Sequence, residues 1–397
     1  MLKFKLFVFI CLFSLLGFAQ QMRIGVYRDY SIKRIVFSYN QGSYTVLGDT
    51  TILGNILPSE FIDVEQVGGQ LNLKIGVVDK GLFNRIYLIQ NNLGSNVTVT
   101  PRNPSAAKAR KYADNFELTS TSKDITIINL VDIDNYLAGV VESEGGGGQH
   151  LEYYKVQAMM SRTYALKYVN KHSKEGFALC DRVHCQAYHS MLRFTPTIQE
   201  AVQATSGSIM VDKNDDLIDS YFHANCGGQT CEPDYVWNNS IPYLSTFKDT
   251  FCIYTKQATW EKRVSQKDWQ NFLVREYNFP LDDSVWTQQI FTFDQSDRKA
   301  FYLNPGLGIP LRDLRTKFNL RSTYFSCEPD GTDVLVKGRG YGHGVGLCQE
   351  GAMKMARAKL DFKQIAQFYF TGARVVDLSE KHFFKQLARV GPFILED

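Results

Sequence analysis

With 397 residues, 44% of them hydrophobic and 21% charged, the chain is long enough for two or three packed units and has the composition of a globular protein, which excludes disorder. Its formal net charge is +3, with acids and bases interspersed rather than blocked, so no polyanion is implied and nucleic acid is not expected as a ligand.

The first residues, MLKFKLFVFICLFSLLGFAQ, place Lys3 and Lys5 before an apolar run from Leu6 to Leu16, with Gly17 and Ala19 as the small residues of a cleavage site. They read as a secretory signal (1–19) rather than an anchor, because the run falls short of the ~20 residues a membrane span needs. The mature protein is therefore expected in the periplasm or cell envelope. Cleavage removes Cys11 and leaves Cys180, Cys185, Cys226, Cys231, Cys252, Cys327 and Cys348. In an oxidising compartment disulfides are the default, with Cys180–Cys185 and Cys231–Cys252 as guesses, but an odd number leaves at least one thiol free, metal-bound or paired between chains.

From Met22 to about Ile125, short β segments such as RIVFSY, GSYTVLG, LNLKIGVV and RIYLIQ alternate with Gly, Asn and Asp clusters, which predicts a β-rich N-terminal region over 20–125. The period then changes. Residues 151–169 put Leu151, Tyr154, Ala158, Ala165 and Val169 on one stripe of a buried helix, whose Lys155, Gln157 and Arg162 need partners if covered. Strands and loops return from Cys180 to about Phe251, residues 260–298 read as an inserted helical piece, and EGAMKMARAKL and FKQIAQFYF as two further helices. A mixed α/β domain over 126–380 and a tail over 381–397 complete an α+β chain.

The segment GRGYGHGVGLCQEG has glycine at every second position from Gly338 to Gly346, which in a strand leaves one bare face and sets Arg339, Tyr341, His343, Val345 and Leu347 on the other. Another chain segment or a ligand is expected against that face. It is not a nucleotide loop, lacking the lysine and hydroxyl of a P-loop, and no G-x-S-x-G elbow marks a serine hydrolase.

Two clusters could carry chemistry. Glu142 and Glu144 end an apolar stretch just before four glycines; a partly desolvated carboxyl there would hold its proton as a general acid requires, although solvated glutamates at a helix end fit the pattern too. His172, Cys180, His184, Cys185 and His189 offer zinc-type ligands, but the four residues between Cys180 and Cys185 exceed a zinc ribbon's usual spacing, so metal and disulfide both stand.

NYLAGVVESE, YYKVQAMMSRTYAL, CQAY, CGGQT with PYLSTFKD, GRGYGHGVGLCQEGAMKMA and FYFTGARV, in that order from about Asp134 to Val375, resemble the motifs of the SpoIID/LytB family, whose enzymatic members are peptidoglycan lytic transglycosylases. The resemblance implies a SpoIID-like catalytic core with a buried helix and the glycine-rich strand lining a groove. It puts Glu144 on the catalytic acid, with Lys155 and Arg162 assisting, and Gln186, Tyr188, Tyr341, His343 and Gln349 on the substrate. Ion pairs are the plainer reading of Lys155 and Arg162. The family includes a zinc site of one His and two Cys, to which His172, Cys180 and Cys185 fall closest, although the chemistry itself requires no cofactor. Gly145–Gly148 replace a Met-Pro turn, and Cys348 stands where Ser is usual. The implied activity is cleavage of the MurNAc–GlcNAc bond with a 1,6-anhydromuramyl product, on denuded glycan, in cell-wall remodelling. The implied partners are glycan strands and an N-acetylmuramoyl-L-alanine amidase. The alternatives are a non-catalytic, LytB-like wall module that enhances an amidase, and a zinc hydrolase acting on stem peptides.

Overall fold

Period-two burial organises the N-terminal part of the chain: in the strand Gln70–Ile75, residues Leu71, Leu73 and Ile75 are covered while those between face outward. The computed structural model describes residues 21–56 and 60–380, so the expected signal segment (1–19) and the expected tail (381–397) lie outside the described residues. The chain divides into two units. The first takes the described residues up to Glu144 together with Tyr168–Pro196; the second takes Gly145–Lys167 and the residues from Thr197 onward.

In the first unit, a seven-stranded sheet runs in the order Leu179–Cys180, Gln21–Val26, Ile125–Asp132, Asn115–Ser120, Arg85–Gln90, Tyr44–Gly48, Thr51–Asn55. A six-stranded antiparallel sheet runs Arg110–Ala113, Asn96–Asn103, Arg34–Gln41, Phe61–Val67, Gln70–Ile75, Val78–Phe83. Phe37 of the second meets Phe116 of the first edge-to-face at 5.2 Å, in the core between them. The expected α+β class with a β-rich N-terminal region is observed. After the strand Ile125–Asp132, Asp132 accepts from the amides of Asp134 and Asn135, an N-cap that turns the chain into the helix Ile133–Gly145. Positive φ at Gly146 and Gly148 carries the chain out of it.

The second unit is built on the helix Leu151–Lys167, buried almost throughout from Tyr153 to Leu166. It packs on the strand Ser208–Val211 and on the helices Gln349–Arg357 and Phe362–Tyr369, both of which the sequence indicates. A further core gathers around Trp269, stacked on Phe318 at 4.9 Å. The piece 260–298 is not wholly helical. The strand Thr259–Ser265 pairs antiparallel with Asp333–Arg339 before the helices Gln266–Tyr277 and Ser284–Gln289 begin. Only Trp260 and Val264 of that strand are buried, too few apolar residues for its period to stand out.

The glycine-rich segment corrects the strand reading. The strand ends at Arg339, and Gly340, Gly342, Gly344 and Gly346 all have positive φ, at 76°, 112°, 85° and 71°. Period two here marks a left-handed alternation rather than a pleat. The bare side lies against the chain from Tyr221 to Gly227: a Cβ on Gly340 would come within 2.5 Å of the Asn225 carbonyl oxygen, and one on Gly346 within 2.3 Å of that of Tyr221. Packing, not an open ligand face, accounts for these glycines. Gly346→Ala is therefore expected to lose about 2–4 kcal/mol, combining left-handed backbone strain with a backbone clash. Gly308→Ala, with φ 64° but nothing within 4 Å of its Cβ, should lose only about 1–2 kcal/mol. Equal midpoints in chemical denaturation would contradict this.

Candidate active site

The end of the helix Ile133–Gly145 is wrapped by residues 186–195 of the same unit. Gly139 permits the approach, since a Cβ there would lie 2.3 Å from the Ser190 carbonyl oxygen. One turn on, Ser143 Oγ donates to the Gly139 carbonyl at 2.8 Å and accepts from the His189 amide at 3.3 Å. Two residues apart on a helix point about 160° away from each other, so Glu142 and Glu144 meet different parts of the wrapping segment.

Glu142 accepts from the amides of Arg193 (3.1 Å), Phe194 (2.9 Å) and Thr195 (3.2 Å), with Arg193 Nε at 3.5 Å. Its carboxylate is committed to holding that loop. Glu144 receives one hydrogen bond, from the Ala187 amide to Oε1 at 2.7 Å. It is half-buried, and burial raises its carboxyl above the ordinary glutamate range against the lowering effect of the Ala187 amide. Of the two glutamates, Glu144 has the environment of a proton donor.

Gln186 and Tyr188 flank Ala187 but do not present themselves to a ligand. Tyr188 is fully buried, donates to Asn129 Oδ1 at 3.0 Å and packs on Tyr136 at 5.0 Å between ring centres; Gln186 is 1% exposed and donates to the Tyr136 hydroxyl at 3.3 Å. Both side chains lie beneath the segment and are bonded within their own unit. The group that sequence reasoning missed is the amide of Ala187, the intervening residue of Gln-x-Tyr, whose contribution is backbone and leaves no side-chain signal.

The remaining catalytic and substrate-binding candidates belong to the second unit. Lys155 Nζ is paired with Glu152 at 2.7 Å, and Glu152 also accepts from the Phe362 amide. Arg162 is 1% exposed and donates to the carbonyls of Thr205 (2.6 Å), Val202 (3.3 Å) and Ser208 (3.4 Å), which commits its guanidinium to the backbone of its own unit. Gln349 is likewise covered and donates to Gln157 Oε1 at 3.2 Å. His343 holds the glycine-rich loop. Its Nε2 donates to the Phe222 carbonyl at 3.0 Å and its Nδ1 accepts from the Val345 amide at 3.1 Å. Burial, with Arg315 nearby, pushes it down to about 4, so the ring is neutral at physiological pH. Tyr341 is exposed, and Trp237, also exposed, has its ring centre 5.2 Å from that of His343.

The seven described cysteines are free thiols, so the expected Cys180–Cys185 and Cys231–Cys252 bridges are not formed. Instead, one ligand atom from each of His172, Cys180, His184 and Cys185 falls within 4.8 Å of the others. His172 Nε2 is 3.4 Å from Cys185 Sγ, and His184 Nδ1 is 3.7 Å from Cys180 Sγ and 3.8 Å from Cys185 Sγ. The other ring nitrogen of His172 bonds Glu175 Oε1 at 2.5 Å, the carboxylate–imidazole arrangement that aims Nε2 at a metal, and this bond holds Glu175 below its usual range. These spacings and this N₂S₂ donor set fit zinc, with His184, one of the ligands the sequence offered, added to the three-residue set that the resemblance implied. Four protein ligands close a tetrahedron and leave no open position. Such an ion would be structural, fixing the chain one residue before Gln186 and two before the Ala187 amide.

A family model described as "Stage II sporulation protein" (SpoIID) matches residues 121–211, which span the Glu144 helix and the wrapping segment. An uncharacterized protein of Brachyspira hyodysenteriae is 30% identical over 256 residues, covering 63% of this chain and 68% of the relative. "Stage II sporulation protein D" of Bacillus subtilis is 26% identical over 268 residues, covering 62% of this chain and 75% of that protein. The "Amidase enhancer" of Bacillus subtilis is 25% identical over 392 residues, covering 83% of this chain, which spans 53% of the enhancer's length. The chain belongs to the SpoIID/LytB family.

Proposed function

We propose that the protein acts in the cell envelope as a peptidoglycan lytic transglycosylase with Glu144 as its single acid and base. The observation that carries this reading is the pairing of one half-buried carboxyl, raised by burial, with one amide donor, beside a second glutamate already committed to three amides. Glycoside hydrolysis ordinarily needs two carboxyl groups. Transglycosylation needs one. Glu144 gives its proton to the glycosidic oxygen as the bond from C1 of the muramic residue breaks; the C6 hydroxyl of the same sugar closes on C1, and its proton returns to Glu144. No water is consumed, and the product ends in a 1,6-anhydro ring. The Ala187 amide keeps Oε1 in place through both transfers. A zinc ion at His172, Cys180, His184 and Cys185 would supply rigidity to this segment and no chemistry.

Proton donation sets the pH dependence. Turnover on glycan should be highest below the raised value of Glu144 and fall as pH rises through it, with the alkaline limb lying above the ordinary glutamate value of about 4.3. Stability has the same sign: the folded chain holds this proton more tightly than the unfolded chain, so the contribution is present at low pH and is lost as pH rises from the unfolded to the folded value. Glu144→Gln, which keeps an acceptor for the Ala187 amide, should thus be more stable than wild type at pH 7. A variant less stable than wild type at pH 7 and equal to it at pH 4 would contradict the assignment.

The amidase-enhancer relative favours a second reading, in which the chain promotes an amidase without cutting glycan. The substitution at Glu144 separates the two.

A further inference from the structure

A second cluster lies in the other unit. The thiols of Cys226, Cys252 and Cys348 and the carboxylate of Asp249 converge so that one ligand atom of each lies within 4.8 Å of the others, and all four residues are fully buried. Cys226 Sγ is 3.3 Å from Cys252 Sγ and 3.3 Å from Asp249 Oδ2. Four ligands around one zinc-sized ion, with Zn–S about 2.3 Å and Zn–O about 2.1 Å, stand roughly 3.5–3.8 Å apart, which small adjustments of these side chains reach.

The surroundings are those of a metal site. Cys348 Sγ accepts from the Cys226 amide at 3.3 Å and, as the N-cap of the helix Gln349–Arg357, from the Gly351 amide at 3.4 Å, two contacts that fix the position of the sulfur. Asp249 Oδ2 accepts from the Tyr369 hydroxyl at 2.9 Å and Oδ1 from the Phe251 amide at 2.9 Å, which fixes the carboxylate's orientation. Gly351 makes the room: a Cβ there would lie 2.7 Å from Asp249 Oδ2 and 2.3 Å from the Tyr369 hydroxyl. Among the described residues no lysine or arginine pairs with Asp249, so a buried carboxylate beside three thiols calls for a cation.

We infer that Cys226, Cys252, Cys348 and Asp249 form a structural site for a soft divalent cation of the zinc type. It is separate from the His172 cluster. A disulfide would use two of these thiols and leave the third with the carboxylate; a metal uses all four groups. The ion would join the loop after the strand Phe222–His223, the loop at 249–252 and the start of the helix Gln349–Arg357. It would thereby clamp the glycine-rich loop that ends two residues before Cys348.

The test is metal content and thiol reactivity of the full chain, purified with zinc and without chelator. Folded wild type should carry one ion more per chain than folded Cys348→Ser or Asp249→Asn, both of which leave His172, Cys180, His184 and Cys185 untouched. Should either variant fail to fold, wild type decides alone: Cys226, Cys252 and Cys348 should resist alkylation until a chelator is added and then react together, and cobalt-loaded protein should show thiolate-to-cobalt absorption. Equal metal content in a folded variant, alkylation indifferent to chelator, or a Cys226–Cys252 cross-linked peptide in the purified protein would overturn the assignment.

Discussion

Glu144→Gln protein is expected to release 1,6-anhydromuramyl fragments from denuded glycan about 10³-fold more slowly than wild type while folding normally. The size follows from losing the donor of one proton and the acceptor of another, an effect of about 10²–10⁴-fold for a positioned acid or base. Gln retains the shape of Glu and an oxygen for the Ala187 amide, so the segment 186–195 should keep its place. Glu142→Gln is the informative companion. It weakens three amide bonds at the loop 193–195, so its loss should appear first in stability and only secondarily in rate. Matching activity losses in the two variants, with unchanged stability in both, would dismantle the division of labour between these glutamates. Amidase enhancement unaffected by Glu144→Gln, in a chain that cuts no glycan, would instead favour the non-catalytic module.

Arg162→Ala should lose about 3–5 kcal/mol of stability, the largest thermodynamic effect anticipated. It removes a buried side chain and strips the carbonyls of Thr205, Val202 and Ser208 of a shared donor. The Val202 and Thr205 carbonyls keep the amides of Thr205 and Ser208 as donors, so most of the loss comes from the cavity that the buried side chain leaves. Lysine carries the charge without the planar fork and should recover only part of the loss. Lys155→Ala, which breaks an ion pair with Glu152, should lose about 1 kcal/mol or less. Calorimetry on the three variants checks the order. Arg162→Ala with wild-type melting and abolished turnover would mean that the guanidinium reaches substrate after all.

The elements that the sequence makes legible are those with strong periods. Alternating apolar residues in segments such as Gln70–Ile75 identify strands directly; the stripe expected over 151–169 locates a helix, but this helix ends at Lys167, before Val169, and is buried on nearly all sides from Tyr153 to Leu166 rather than along one stripe, with Arg162 and Gln157 partnered as burial demands. The strand Thr259–Ser265 is hidden because two buried residues make no pattern, and the glycines at 340–346 imitate a strand's period with left-handed backbone. At the candidate site, Glu144 is legible because a carboxyl in an apolar stretch is conspicuous. The buried roles of Gln186, Tyr188 and Gln349 are not, because a motif gives residue types without saying which way they face. Nor is the Ala187 amide, since a backbone donor has no residue type. The cysteines show a further limit: composition suggests disulfides, whereas three-dimensional neighbours such as Cys226, Cys252 and Cys348, far apart in the chain, are visible only once it is folded.

Mass spectrometry of denuded glycan digested by the wild-type chain is the most direct measurement. One-carboxyl chemistry at Glu144 predicts fragments ending in 1,6-anhydromuramic acid, with no solvent oxygen incorporated from labelled water. Fragments with free, label-containing reducing ends, or freed stem peptides from intact wall, would contradict it.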